Sequence, residues 1–144
     1  MKKFNELNAY LSNLAVMNTK LHNLHWNVVG INFVAIHTFT EELYTKYFEE
    51  FDAVAELLKM QGQTPLSRMK DYLDHATIEE IAPKAFSIKE VLDILIKDLG
   101  ILKDQAVKVR DLAEEEGDFE AVSMFEDTIA VLNKDLWFLD AMAK

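Results

Sequence analysis

Four side chains able to hold a metal ion lie in the first half of this 144-residue sequence: His25, His37, Asp52 and Glu56, separated by 12, 15 and 4 positions. Asp52 and Glu56 stand one helical turn apart and would share a face, where two carboxylates repel unless a cation lies between them. Imidazole with carboxylate suits iron, and zinc accepts the same donors. The sequence has no cysteine, which excludes disulfides, zinc–thiolate sites, iron–sulfur clusters and thiol catalysis, so a tight metal site must use His, Asp and Glu. Each residue also has a plainer reading. His25, between Leu21 and Val28, reads as a buried, hydrogen-bonded histidine, and an acidic pair at helical spacing reads as a solvated surface.

The elements that must position these groups are helices. With 4 glycines and 2 prolines, the chain has few places to turn. Apolar residues at steps of three and four (Phe4, Leu7, Leu11, Leu14, Leu21 and Val28) predict a first helix ending near Gly30, with Asn18 and His25 on the intervening steps. Asn32 is placed to cap a second helix striped by Phe33, Ile36, Phe39 or Thr40, Leu43, Tyr47, Phe51, Val54 and Leu58, ending near Gly62. Thr64 before Pro65 predicts the start of a short helix through Leu66, Met69 and Leu73. Residues 75–85 read as a connection, long enough with the short helix to cross the length of a bundle. Ser87 and Glu90 form a capping box for the third helix, striped from Val91 to Ala113. Gly117 stops that helix, and Asp118 caps a fourth running through Val122, Phe125, Ile129, Leu132, Leu136 and Leu139. No strand alternation, linker or repeat is evident. The expectation is one all-α domain over residues 1–144: a four-helix bundle with a short extra helix in the crossover between helices 2 and 3.

Half of the residues are hydrophobic, and the formal charge is −10. That composition excludes disorder and argues against a basic nucleic-acid-binding body. The first residues bring Asn5 and Glu6 before any apolar run, unlike a signal peptide, and no apolar stretch is long enough to span a membrane. A cytoplasmic protein is expected.

Helix geometry decides how the four groups could cooperate. His37 and Asp52 fall on one helix about 22 Å apart along its axis. Relative to His37, Asp52 is offset by about 60° and Glu56 by about 100°, so all lie on one broad face but at opposite ends. One chain cannot close a site from them. Two chains paired antiparallel about a two-fold axis through this helix would form two equivalent sites, each with two histidines and two carboxylates. Glu41, one turn from His37, could reach the same metal directly or through water.

The segment Leu21-His22-Asn23-Leu24-His25-Trp26-Asn27-Val28-Val29-Gly30, followed by Asn32-Phe33, His37, Glu42-Leu43-Tyr44 and Asp52-Ala53-Val54-Ala55-Glu56, resembles the Dps mini-ferritins, the "DNA protection during starvation" proteins. The Gly62–Pro65 turn, the inserted short helix and Leu136-Trp137 extend the resemblance over essentially the whole chain. It implies a ferritin-like bundle and a hollow dodecamer with iron centres at its two-fold interfaces. His25 and His37 would come from one subunit, and Asp52 and Glu56 from its neighbour. It further implies oxidation of ferrous iron by hydrogen peroxide in preference to dioxygen, and storage of a ferric mineral. Trp26 and Trp137 would lie near the centre, where they could intercept stray oxidising equivalents or simply pack. Glu114 and Asp118 would line a three-fold pore and guide ferrous iron inward, although an acidic helix end is more often only solvated.

Departures from related patterns sharpen the reading. No Glu stands three residues before any histidine, unlike the Glu-x-x-His motif of large ferritins. A Lys/Arg-rich tail, carried by many DNA-binding members, is reduced here to Lys2, Lys3 and Lys144, so direct DNA binding is not expected. His22 and His75 fall outside the motif and are assigned to the surface or the site's surroundings. Three other readings compete: a DNA-condensing shell, a structural bundle whose polar groups fix pairing, and a divalent-metal buffer without redox chemistry.

Overall fold

The computed structural model describes residues 2–144 and contains α1 (Lys2–Asn27), β1 (Val28–Val29), α2 (Phe33–Met60), α3 (Met69–His75), β2 (Phe86–Ser87), α4 (Ile88–Glu115) and α5 (Phe119–Ala143). The expected stripes become the core. Leu7, Leu11, Leu14 and Leu21 of α1 are fully buried beside Leu43, Val54 and Leu58 of α2, Val91, Leu95, Leu99 and Leu102 of α4, and Phe125, Leu132 and Leu139 of α5. Burying each large apolar side chain contributes about 2 kcal/mol of transfer free energy, which makes this interior the main support of the bundle. The closest-packed pairs are α1 with α2 and α4 with α5.

Two of the expected N-caps form, although the Ser87–Glu90 box is only half made, the Glu90 carboxylate pairing with Lys84 (2.8 Å). Ser87 accepts a hydrogen bond from the Glu90 backbone N–H (3.1 Å), and Asp118 accepts one from that of Ala121 (3.1 Å). Between α4 and α5, Gly117 adopts φ +67°, a left-handed conformation that lets the Asp118 N–H reach the Ala113 carbonyl at 2.9 Å. Asn32 occupies the N-cap position of α2, but its side chain makes no capping bond.

Two expectations need correction. The short helix begins at Met69, not at Thr64–Pro65. The local Thr-Pro signal is overridden because the Leu66 N–H donates to Asn8 Oδ1 of α1 (3.0 Å) and the Leu66 carbonyl accepts from the Tyr72 hydroxyl (2.8 Å), which holds the preceding segment against α1. The structure also contains strand pairing: Val28–Val29 lies parallel to Phe86–Ser87. Two residues are too few to leave an alternating pattern, yet the pairing ties the exit of α1 to the entry of α4.

The long crossover is fastened to α1 by polar side chains. Asn13 Oδ1 accepts from the Thr77 and Ile78 N–H groups (2.8 and 3.0 Å), and Lys20 Nζ donates to the Glu79 carbonyl (2.6 Å) while pairing with buried Asp98 (2.7 Å). The frame around the α1–α2 hairpin is therefore anchored by hydrogen bonds as well as by its apolar core.

Candidate metal centre

The chain reverses between α1 and α2 at Gly30, where φ is +137° and a Cβ would approach Ile88 Cγ1 to 3.0 Å. Glycine meets both demands. The reversal brings His25, near the end of α1, against His37, in the first turns of α2. Their rings stack with centroids 3.6 Å apart and an interplanar angle of 14°.

The hydrogen bonding of this pair is reciprocal. His25 Nδ1 lies 2.7 Å from the His37 carbonyl oxygen, and His37 Nδ1 lies 2.8 Å from the His25 carbonyl oxygen. A carbonyl only accepts, so both Nδ1 atoms carry a proton, and in the neutral form of each ring Nε2 keeps the lone pair. Thr40 donates its hydroxyl proton to the Ile36 carbonyl (2.8 Å), which leaves its oxygen available to His25 Nδ1 at 3.1 Å. Such outer hydrogen bonds fix the ring orientation and tautomer that metal ligation needs. His25 is only 5 % exposed. Burial, reinforced by the neighbouring His37 and His22, lowers its pKa despite the carbonyl hydrogen bond and the Glu41 charge, and so favours the neutral imidazole. The plainer reading of a buried, satisfied histidine describes Nδ1 correctly and leaves Nε2 unused.

Asp52 and Glu56 lie on the same unbroken helix as His37, about 22 Å from it along the axis at Asp52. Both carboxylates are exposed, and among the described residues no group of three or more His, Asp or Glu side chains could hold a metal ion. A single chain thus presents two separate pairs of candidate ligands, one towards each end of α2. Glu41 is exposed one turn beyond His37. On the outer side of α2, the stripe His37, Glu41, Tyr44, Phe48, Asp52 and Glu56 is half-buried at Tyr44 and His37 and exposed elsewhere, whereas Ile36, Thr40, Leu43, Tyr47 and Val54 face the core.

Midway between these pairs, α1 and α2 form a groove of ≈ 360 Å³ lined by Asn18, His22, Tyr44, Thr45, Phe48 and Glu49. His22 stacks on Tyr44 at 3.9 Å, and Tyr44 stands edge-on to His25 at 5.2 Å. His22 donates Nδ1–H to the Asn18 carbonyl (2.6 Å), and exposed His75 does the same to Asp71 (2.8 Å). Thr40 and the His22–Tyr44 stack were not singled out from sequence as parts of the site. The available signal for Thr40 was a hydroxyl on the apolar stripe three residues after His37.

Both tryptophans lie outside the core, 68 % exposed at Trp26 and 65 % at Trp137. Trp26 leans on His22 with centroids 5.5 Å apart, and Trp137 lines a second groove with Val34 and Phe39 at the start of α2. Asp118 is committed elsewhere: besides capping α5, it pairs with buried Lys3 (2.9 Å) and accepts from Gln61 (2.7 Å). Glu114 pairs with Arg110 at 2.6 Å. Of the three terminal lysines, Lys3 also reaches Glu116 (2.9 Å), and Lys144 pairs with Asp140 (3.0 Å).

Residues 4–144 match the Ferritin family, described as a ferritin-like domain. The chain is 31 % identical over 141 residues to the DNA protection during starvation protein of Helicobacter pylori, covering 98 % of each sequence. It is 33 % identical to the protein of that name from Listeria innocua, covering 94 % of this chain and 87 % of the relative. Among solved structures, antigen TpF1 from Treponema pallidum superposes with a TM-score of 0.97 at 31 % identity over 99 % of this chain and 92 % of that one. A Dps protein from Bacillus brevis gives a TM-score of 0.93 at 33 % identity, over 96 % and 93 % of the two chains. With the bundle, its inserted helix and near full-length similarity in agreement, the chain belongs to the Dps family of ferritin-like proteins.

Proposed function

We propose that the protein oxidises ferrous iron with hydrogen peroxide, and less well with dioxygen, at sites shared between two-fold-related copies, and stores the ferric product. The observation that carries this reading is the division of candidate ligands along α2: two imidazoles at one end, each with Nδ1 bonded to a backbone carbonyl, and two exposed carboxylates at the other. An antiparallel copy of α2, with the axis passing near Tyr44 and Thr45, puts the carboxylate end of one subunit over the histidine end of the other. Each site then contains His25, His37 and Glu41 from one chain and Asp52 and Glu56 from its neighbour. The exposed Phe48 and the α1–α2 groove provide apolar surface for that contact.

Iron is the substrate of this site. Neutral imidazole and carboxylate donors hold a ferrous ion while leaving coordination positions open to the oxidant. Two ferrous ions, one peroxide and two protons yield two ferric ions and two waters, so hydroxyl radical is not released. Zinc fits the same donor set and competes for it; a solved structure of Dps from Listeria innocua was soaked with 10 mM zinc. A dodecameric shell and a cytoplasmic location are proposed with it, supported by membership of the family. Glu114 and Asp118 are proposed to attract iron near a three-fold pore, Asp118 within a cluster where one cation, Lys3, faces two carboxylates, Asp118 and Glu116, and the net charge stays negative. Trp26, beside His22, and Trp137, near the start of α2, are proposed to catch oxidising equivalents that escape. With Lys3 and Lys144 held in ion pairs, protection is assigned to iron and peroxide removal rather than to direct DNA contact.

Anaerobic ferrous titration followed by peroxide, recording ferric absorbance and spin-trapped radical together, tests this function. The expected result is rapid oxidation of two irons per peroxide with a suppressed radical signal, slowed by zinc. Oxidation at the buffer rate with an undiminished radical signal contradicts it, and tight metal binding without faster oxidation identifies a metal buffer.

A further inference from the structure

A second set of polar groups lies inside the bundle, on the flank of α2 turned away from the histidine stripe. Tyr10 of α1 and Tyr47 of α2 are 0 % and 1 % exposed. Tyr10 donates its hydroxyl proton to Glu50 Oε1 at 2.7 Å, and Thr128 of α5 donates to the same oxygen at 3.0 Å. Tyr47 donates to Asp135 Oδ2 at 3.1 Å, but Lys46 already holds both oxygens of that carboxylate at 2.9 Å. Packing does not require this arrangement: phenylalanine would fill either ring position, and buried carboxylates cost free energy that apolar side chains avoid.

The two phenols differ in the base each faces. Burial, with the Glu50 charge and hydrogen bond, holds the Tyr10 phenol well above its ordinary pKa, so it stays protonated. Glu50 Oε1 accepts only neutral hydroxyl donors, Tyr10 and Thr128, and among the described residues no cation pairs with this carboxylate. Asp135 has a cation bound across both oxygens and the longer phenol contact. Glu50 also lines an open groove of ≈ 720 Å³ between α2 and α5, whereas Tyr10 is sealed from solvent and packs edge-on against Phe125 at 5.1 Å.

We propose that Tyr10 is a one-electron redox site with Glu50 as its proton acceptor, holding oxidising equivalents inside the bundle. A phenol that loses an electron becomes a strong acid, and an unrelieved positive charge in a dry core is costly. A one-electron oxidant, such as hydroxyl radical or a tryptophan radical cation, takes the electron. The Tyr10 O–H bond breaks as the proton crosses the hydrogen bond to Glu50 Oε1, leaving a neutral tyrosyl radical beside a carboxylic acid. A ferrous ion returns the electron and becomes ferric, while the proton moves back to the phenol. This redox role does not depend on the shared iron site.

The test uses iron-free, purified protein, photo-oxidised with ruthenium tris-bipyridine and persulfate, freeze-quenched and followed by electron paramagnetic resonance. Wild type is expected to give a long-lived tyrosyl signal that falls at least about tenfold in Tyr10→Phe and in Glu50→Gln. Glutamine still accepts the phenol hydrogen bond but does not take its proton. Tyr72→Phe, which removes a hydroxyl bonded only to the Leu66 carbonyl, is expected to leave the signal unchanged. Circular dichroism establishes that each variant is folded. A signal of wild-type size and lifetime in Tyr10→Phe or in Glu50→Gln overturns the proposal, as does its loss in Tyr72→Phe. Because no iron is present, failure here leaves the ferroxidase reading intact, and failure of that reading leaves this result unaffected.

Discussion

The two ends of α2 carry candidate metal ligands of opposite character. At the histidine end, each ring is oriented by the other's backbone carbonyl, His25 has a further contact to Thr40, and the stack is set by a glycine reversal. At the carboxylate end, Asp52 and Glu56 project from an exposed helical face. One half is pre-organised, and the other supplies charge that awaits placement. On the proposed reading, the contrast means that one sequence encodes a metal centre that no single folded chain contains. Rigidity is concentrated on the imidazoles, whose tautomer must be right for ligation, and in the proposed site the carboxylates bring the negative charge for the cation.

The largest expected effect comes from removing either half. His37→Ala and Asp52→Ala should each slow peroxide-driven iron oxidation by at least about a hundredfold, beyond the loss caused by an outer hydrogen-bond partner. Stopped-flow ferric absorbance measures this, and a variant retaining wild-type rate would remove its half from the site. Thr45→Cys probes how the halves meet. In this cysteine-free chain a single thiol near the axis should convert most of the protein to a covalent dimer under mild oxidation, whereas a monomer on non-reducing gels would displace the axis from Thr45.

A smaller effect is expected from Thr40→Val, which keeps shape and removes the hydroxyl beside His25 Nδ1. Iron affinity should weaken by about tenfold in a titration, with the fold intact; unchanged affinity would show that the His37 carbonyl alone orients His25. Asp118 provides the contrast of a carboxylate whose partners lie within its own chain. Burial pushes its pKa up, but hydrogen bonds from Lys3, the Ala121 N–H and Gln61 outweigh that and hold it below the usual aspartate value. It therefore adds stability above the unfolded-state pKa near about 3.9, which is lost as pH falls through the lower folded value. Asp118→Ala should cost about 1–2 kcal/mol at neutral pH and flatten the acid limb of the stability profile. Denaturant melts across pH test this, and an unchanged acid limb would contradict the assignment.

Much of this was legible because it rests on residue type and period. The apolar stripes placed four long helices, and the separation of His37 and Asp52 along one of them was legible from their spacing. The start of the short helix was not legible: Thr64–Pro65 is a local signal, whereas Asn8, distant in sequence, decides the conformation at Leu66. The reciprocal carbonyl bonds of the histidine pair were hidden for a similar reason, since backbone acceptors leave no mark in side-chain identity. Asp118 was visible as a cap, but its pairing with Lys3 spans 115 positions and follows only from folding. The tryptophans could be read as core or contact surface; their exposure in the single chain removes the first reading.

Mixing the two inactive variants tests most directly whether the site is shared. In a pair made of one His37→Ala chain and one Asp52→Ala chain, one site loses both halves, while the other combines intact histidines with intact carboxylates. Co-assembly of equal amounts from the unfolded state should therefore restore about a quarter of the wild-type sites and a corresponding fraction of peroxide-driven iron oxidation. No recovery, in mixed assemblies shown by native mass spectrometry to contain both chains, would contradict a centre built from two copies.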